Sequence, residues 1–209
     1  MPSQRDGPAL VCIMVRAALS LMVLLAASRL DAVQVRADTG QARHTEADVR
    51  FMQRMIAHHA QALAMASLVR TRSSRQDMRL LARRIDVSQR DEIDAMRRWL
   101  GRRGQQVPDT SKEHDRHGAA GDILMPGMLT DDELAQLEKT TGAAFDRLFL
   151  QLMIRHHEGA LTMVAELFAT PGAGQEPELF GFASDVDSDQ RAEIGRMRAL
   201  LAAMPADPS

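Results

Sequence analysis

The stretch "MIAHHAQALAM", Met55 to Met65, recurs in altered form as "MIRHHEGALTM", Met153 to Met163. When the alignment is extended back to Asp48 and Asp146, ten of eighteen positions are identical. Each copy is followed by a second related block, "ARRIDVSQRDEIDAMRRWL" at 82–100 and "ASDVDSDQRAEIGRMRALL" at 183–201. The chain is therefore a duplication of one two-element unit.

Apolar residues recur at helical spacing in both blocks of each copy, which predicts four long helices. We expect them at about 45–69, 75–100, 143–169 and 178–204, with a short helix that Thr130 caps and that ends by Gly142. A short turn joins the two helices of each unit, so they should be antiparallel neighbours. Two such hairpins predict an all-α, four-helix bundle over residues 45–203. Its parts are repeat one at 45–101, a linker rich in Gly, Pro and charge at 102–130, and repeat two at 131–203.

The composition is that of a globular helical protein. Apolar residues make up 45% of the chain, with fourteen Met but only six Phe, one Trp and no Tyr. The formal charge of −2 offers no general attraction for nucleic acid, which requires a concentrated basic face. The sequence contains no Ser–His–Asp pattern or nucleotide-binding fingerprint, so hydrolase and kinase functions have no local support.

Residues 1–37 are predicted to be an export signal or an N-terminal anchor. The uninterrupted h-region, Ala17 to Ala27, is shorter than the roughly 20 residues that a membrane-spanning helix needs. An uncleaved anchor, and with it membrane contact, is the alternative if Arg16 snorkels. The only cysteine, Cys12, lies in this segment, so a cleaved chain has no thiol. We therefore expect an exported protein of the periplasm or cell envelope.

The paired histidines are expected to face the core. On a helical projection, His58 and His59 lie on the two shoulders of the apolar stripe that contains Met55. The second copy repeats the arrangement with Met153, His156 and His157. Imidazole and thioether donors without a thiolate suit copper, whereas zinc held by histidines alone would leave the methionines unexplained. A carboxylate-bridged di-iron site is less well supported, because Glu-x-x-His occurs nowhere in the sequence.

Polar residues on the partner helices have two interpretations. The apolar stripes there include Gln89 and Glu92 in the first unit and Gln190 and Glu193 in the second. Buried polar groups need hydrogen-bond partners, and the histidines are the expected ones. Such contacts suit the second shell of a metal site, where a carboxylate orients the imidazole and raises its basicity. They also suit a non-metal structural or partner-binding bundle whose buried His pairs are hydrogen-bonded to Glu. An oxidoreductase would further need an open coordination position.

With these residues in view, the sequence resembles the domain of unknown function 305 family, exported bacterial proteins with a ferritin-like helical bundle. The resemblance covers about residues 45–203. It rests on the two histidine motifs, on the two Gln…Glu-Ile…Met blocks and on "MLTDDELAQLEKTTGAAFDRLFL" at 128–150. Some members are associated with copper binding and tolerance, so the resemblance implies a set of candidate metal ligands. They are Met55, His58, His59, Met65, Met153, His156, His157 and Met163.

These patterns predict an exported bundle that binds copper through its repeated Met/His faces. We expect a buffer or chaperone in envelope metal homeostasis rather than an enzyme, with a metal ion and an envelope metal-handling protein as partners. One departure between the repeats is a cation beside the second histidine pair, Arg155 where the first copy has Ala57. Its position on the helix predicts that Arg155 points away from the core.

Overall fold

The computed structural model describes residues 44–109 and 124–205. The predicted export segment at 1–37 and the centre of the predicted linker lie outside these residues. The described part contains five helices and no strand. Their bounds are α1 Glu46–Arg72, α2 Gln76–Arg102, α3 Asp131–Lys139, α4 Gly142–Ala169 and α5 Pro177–Ala202. None of these helices is both apolar and long enough to cross a bilayer.

The helix starts follow local capping chemistry. Thr45 and Asp48 form a capping box at α1, in which each side chain accepts from the backbone amide of the other. Thr130 and Glu133 form the same box at α3, as expected for Thr130. The short helix α3 ends at Lys139, before Gly142 as predicted. The chain then turns at Thr140 before α4 begins.

The predicted all-α bundle of two helical hairpins is confirmed. Helix α1 packs against α2, α4 packs against α5, and the hairpins meet where α1 packs against α4. Met55, early in its motif, shares a core cluster with Met163, late in the other motif, and Met65 shares the second cluster with Met153. The early methionine of each motif therefore packs near the late methionine of the other, which shows that α1 and α4 run antiparallel. The duplicated sequence therefore folds with an approximate two-fold axis between these two helices.

Both core clusters are rich in methionine and aliphatic side chains. One lies around Met65, Met78, Met153 and Met197, with Phe145 and Phe149, which stack with their ring centroids 5.8 Å apart. The other lies around Met52, Met55, Met96 and Met163, with Trp99. The Trp99 indole donates to Glu176 Oε2 at 3.0 Å, which connects the end of α2 to the start of α5. The histidine motifs of α1 and α4 run between these two clusters.

Candidate metal centre

Four imidazoles meet where α1 crosses α4. The side chains of His58, His59, His156 and His157 are at most 1% exposed. The centroids of the His58 and His156 rings are 3.9 Å apart, with an interplanar angle of 38°. Ala62 and Ala160, one turn further along each helix, are also buried. Their small side chains allow the helices to approach closely enough for the two rings to touch.

One histidine of each pair is hydrogen-bonded to a carboxylate from the neighbouring helix. Nε2 of His157 lies 2.6 Å from Oε2 of Glu193, and Nε2 of His59 makes the equivalent bond to Glu92. A carboxylate only accepts, so the proton belongs on Nε2 and the lone pair on Nδ1. Both Nδ1 atoms are buried and have no hydrogen-bond partner within the described residues. This is the arrangement by which a carboxylate orients a metal-binding imidazole.

The other histidine of each pair faces a different environment. Nε2 of His58 donates to the backbone carbonyl of Pro126 at 3.0 Å, which leaves its lone pair at Nδ1. That Nδ1 atom and Nε2 of His156 are buried without a partner in the part of the chain that the structure describes. Burial, and then repulsion from His59, lowers the pKa of His58 from 6.5 to about 3. Burial and the neighbouring His58 also hold the pKa of His156 well below 6.5. Both rings are therefore neutral at pH 7 and can donate lone pairs.

A short segment, residues 125–129, closes one face of the histidine cluster, and we call it the strap. The Gln61 side chain holds it by donating to the Leu129 carbonyl at 3.0 Å and accepting from the Leu129 amide at 2.8 Å. Gly159 on α4 provides the space, since a Cβ atom there would lie 2.0 Å from the Pro126 carbonyl oxygen. Gly127, at φ 76°, completes the close backbone contact.

Sequence reasoning missed the strap, although the alignment of the repeats contained a signal of it. Gln61 and Gly159 occupy the same position in the two copies. In the structure, one holds the strap and the other leaves room for it. The strap crosses only one face of the histidine cluster, so the two-fold axis relates it to no second strap. Gln61 and Gly159, which are aligned in the two repeats, therefore meet different surroundings and differ in residue type.

The methionines of the two motifs lie in the core but not in one group. The side chains of Met55, Met65, Met153 and Met163 are all buried. They are divided between the two core clusters, with one methionine of each motif in each cluster. The structure therefore brings the four predicted histidines together and places the thioethers in two separate pairs.

One detail of the predicted hydrogen bonding is wrong. Neither Gln89 nor Gln190 bonds to a histidine, and within the described residues Gln89 Oε1 and Gln190 Nε2 are buried without partners. Each histidine pair bonds to a glutamate as predicted, through one of its two rings. Glu92 bonds to His59 and Glu193 bonds to His157, whereas His58 bonds to the Pro126 carbonyl of the strap. The outward direction predicted for Arg155 is confirmed, because it pairs with Glu133 of α3 at 2.6 Å.

The donor set fits a soft cation better than a hard one. Within the described residues, no group of three or more His, Cys, Asp or Glu side chains is arranged to hold a metal. This finding applies to copper as much as to zinc or iron, so the four histidines are candidate ligands and not a preformed site. Thioether sulfur selects Cu(I), and imidazole accepts copper in either oxidation state. Imidazole nitrogens without partners and buried thioethers are donor types that suit copper.

Comparisons with known proteins agree with this fold. The sequence model of the family described as "Domain of unknown function (DUF305)" matches residues 48–201. A DUF305 fragment from Deinococcus radiodurans is 36% identical with a TM-score of 0.64, over 77% of this chain and 99% of that one. CopM in its Cu(II)-bound form is 28% identical with a TM-score of 0.59, over 74% of this chain and 95% of that one.

A third solved structure is a DUF305 protein from Streptomyces coelicolor, described as a candidate secreted protein. It is 31% identical with a TM-score of 0.61, over 75% of this chain and 92% of that one. CopM is also known in Cu(I)-bound and silver-bound forms. No curated protein matches the sequence.

Proposed function

The chain belongs to the DUF305 family, and we propose that it binds copper as a buffer or chaperone rather than as an enzyme. The proposed ligands are the imidazoles of His58, His59, His156 and His157 and the thioethers of Met55, Met65, Met153 and Met163. Glu92 and Glu193 orient two of the imidazoles. The copper-bound and silver-bound forms of CopM support a soft cation as the cargo.

One observation carries this proposal: within the described residues, each of the four buried imidazoles has a ring nitrogen without a hydrogen-bond partner. A buried polar atom without a hydrogen bond costs about 1–3 kcal/mol of stability. The histidine cluster contains four such nitrogens, one on each ring. A cation bound to them would recover this cost, and the neutral state that burial imposes on His58 and His156 is the state that coordinates metal.

The test is anaerobic titration of the full chain with Cu(I), with a competing chelator to define the affinity. We expect binding by the wild-type chain and its loss in the quadruple variant with His58, His59, His156 and His157 replaced by Ala. His44→Ala, which removes a histidine outside the cluster, should bind normally. Undiminished copper binding by the quadruple variant would show that these residues are not the ligands.

A second pair of variants separates loss of ligand from loss of fold. Met→Leu substitutions keep core volume and usually cost less than about 1.5 kcal/mol. Met55→Leu with Met153→Leu should weaken Cu(I) binding, whereas Met78→Leu with Met204→Leu should not. Circular dichroism checks that both proteins remain helical. Equal affinities in the two double variants would remove the thioethers from the proposed site.

The glutamates give a further prediction. Glu193→Gln removes the carboxylate that accepts from His157, so the imidazole becomes less basic and less well oriented. Loss of such a partner commonly lowers metal affinity by about 10–100-fold, and we expect Cu(I) affinity to fall within this range. Glu158→Gln is the matched control, because Glu158 is adjacent to His157 in sequence but pairs with Arg198 at the surface. Competition titrations of the two variants should differ clearly.

A second candidate function is a structural or partner-binding bundle without metal. The two His–Glu hydrogen bonds favour it equally well, since they satisfy buried groups whether or not a metal is present. The two functions differ in thermal stability. At a free copper concentration of 100 times Kd, binding should stabilise the native state by about 2.7 kcal/mol, which is roughly 5–10 °C in Tm for a domain of this size. An unchanged Tm would favour the structural bundle.

The setting that we propose is the periplasm or cell envelope, with an envelope metal-handling protein as partner. The support is the apolar segment within residues 1–37 and the candidate secreted relative. Fractionation of cells that express the full chain tests the location. Recovery of the protein from the cytoplasm at full, unprocessed mass would contradict it.

A further inference from the structure

The outer face formed by α2 and α5 has a groove along it. The extensive helix contacts in the bundle are those of α1 with α2, α4 with α5 and α1 with α4, and a groove of about 540 Å³ lies between α2 and α5. Leu80 and Val87 of α2 line this groove and are 47% and 59% exposed. Large apolar side chains exposed beside a groove mark a candidate interaction surface.

Two arginines lie between these apolar residues on α2. Arg83 and Arg84 also line the groove, and both are exposed. Within the part of the chain that the structure describes, neither has an ion-pair partner, so both charges can pair with another molecule. We call Leu80, Arg83, Arg84 and Val87 the basic patch.

The equivalent positions of α5 carry small or acidic residues. In the alignment of the repeats, the four residues of the basic patch correspond to Gly181, Ser184, Asp185 and Ser188, which we call the acidic patch. Positions that face the histidines keep their residue type, as Glu92 and Glu193 do. The repeats therefore agree inside the bundle, whereas they differ in both size and charge on this outer face.

The difference in charge extends beyond the two patches. Residues 70–90 contain seven arginines and two aspartates, a net charge of +5, whereas the equivalent residues 171–191 contain five acidic residues and one arginine, a net charge of −4. Burial, followed by the charges of Glu92, Glu193 and Asp185, raises the pKa of Asp189 beside the acidic patch. Because the approximate two-fold axis exchanges α2 and α5, the two patches lie towards opposite ends of one face.

The patches also complement each other in size. Gly181 lies inside α5, yet a Cβ atom there would meet nothing within 4 Å, so no packing contact among the described residues requires a glycine. Glycine inside a helix is destabilising relative to alanine, so its presence needs another reason. A large side chain such as Leu80 of a second molecule, packed against the small residues of the acidic patch, gives that reason.

The face has a size and a shape that suit a dimer. Helices of 27 and 26 residues side by side present roughly 40 Å by 20 Å, or about 800 Å², which is close to what each partner buries in a stable protein interface. A two-fold axis that lies in this face, perpendicular to the line between the patches, places each basic patch on the acidic patch of the other copy. Such an interface is closed, so association stops at two copies.

We propose that the α2/α5 face is the contact surface of a symmetric dimer, in which the basic patch of each copy binds the acidic patch of the other. Dimerisation in this way does not require copper, because no residue of either patch is a proposed metal ligand. The partner that fits the groove is therefore a second copy of this chain, and the repeats differ on this face because their surfaces meet each other.

Sedimentation equilibrium of the full, metal-free chain over a range of concentrations measures the association. We expect the wild type to pass from monomer to dimer and no further. Arg83→Asp with Arg84→Asp, and separately Asp185→Arg with Ser188→Arg, place like charges opposite each other, so each double variant should dimerise at least about tenfold more weakly. An equimolar mixture of the two variants should dimerise again, because both contacts of the heterodimer then join opposite charges.

Arg90→Asp is the matched control for these reversals. It reverses a charge on the same helix, but Arg90 pairs with Asp86 and does not line the groove, so this variant should dimerise as the wild type does. A change from about 0.1 M to about 1 M salt shortens the Debye length from about 10 Å to about 3 Å and should weaken the wild-type dimer. Circular dichroism checks that every variant remains helical.

A wild-type chain that stays monomeric at every concentration would overturn the proposed dimer. Wild-type dimerisation by both double variants, or a mixture of them that stays monomeric, would show that the two patches do not bind each other and would equally overturn it. None of these results bears on copper binding, which the Cu(I) titrations test separately.

Discussion

Gly159→Ala is expected to destabilise the protein by about 1–3 kcal/mol or more, the usual range for overpacking a closed site. The added Cβ would lie 2.0 Å from the Pro126 carbonyl oxygen and 2.7 Å from Gly127 Cα. These atoms belong to backbone and cannot rotate away as a side chain can. The strap must move, and His58 then loses its hydrogen-bond acceptor. Urea unfolding at neutral pH measures the loss of free energy.

Gly195→Ala is the matched control for this prediction. Gly195 also lies inside a helix, α5, but a Cβ there meets nothing within 4 Å. Alanine is the better helix former, so this variant should gain up to about 1 kcal/mol. Hydrogen exchange of the Leu129 amide, which Gln61 protects, should accelerate only in Gly159→Ala. Equal stability of the two variants would mean that the strap is not held against α4.

Acidification from pH 7 to pH 5 is expected to remove about 2 kcal/mol of stability through His58 alone. Its pKa is about 3 in the folded protein and near 6.5 in the unfolded chain. Between these values the unfolded chain binds a proton that the native state does not, so stability falls as pH falls. His156 should add to the loss, because burial also lowers its pKa. The pH range stays above the ordinary carboxylate values, so carboxylates contribute less.

The measurement is urea unfolding of the metal-free protein at half-unit steps between pH 7 and pH 5. His156→Phe retains a planar ring beside His58 but cannot be protonated, so its stability should depend less steeply on pH than that of the wild type. His44→Ala should show the wild-type slope, since His44 lies outside the cluster. A flat wild-type profile would mean that these rings are hydrated and not buried.

The sequence predicted most of the bundle because the relevant information is local and occurs twice. Helical periodicity, caps such as Thr45 and the two motif copies indicated the helices and their pairing. The inward direction of His58 and His156 also followed, since the position of a residue on its own helix sets the face on which it lies. The pairing of His59 with Glu92 was expected because a buried carboxylate needs a donor.

The arrangement around the histidines was less predictable because it depends on distances between helices. The close contact of the His58 and His156 rings requires α1 and α4 to cross at the small residues, and helical periodicity does not show where two helices cross. The separation of Met55 from Met65 into two core clusters likewise depends on the antiparallel meeting of the hairpins. The strap has no periodic pattern, and only the mismatch of Gln61 and Gly159 between the copies pointed to it.

By itself, therefore, the sequence determined the duplicated helical hairpins, the inward histidines and a donor set suited to copper. The tertiary structure alone decided which imidazole nitrogen bonds to each neighbour, which ring nitrogens are buried without partners, and that the strap closes one face of the cluster. The physical reason is that a side chain's direction depends on its own helix. The partners of that side chain depend on where a second helix crosses the first. Around the histidines they also depend on the strap, whose sequence has no helical periodicity.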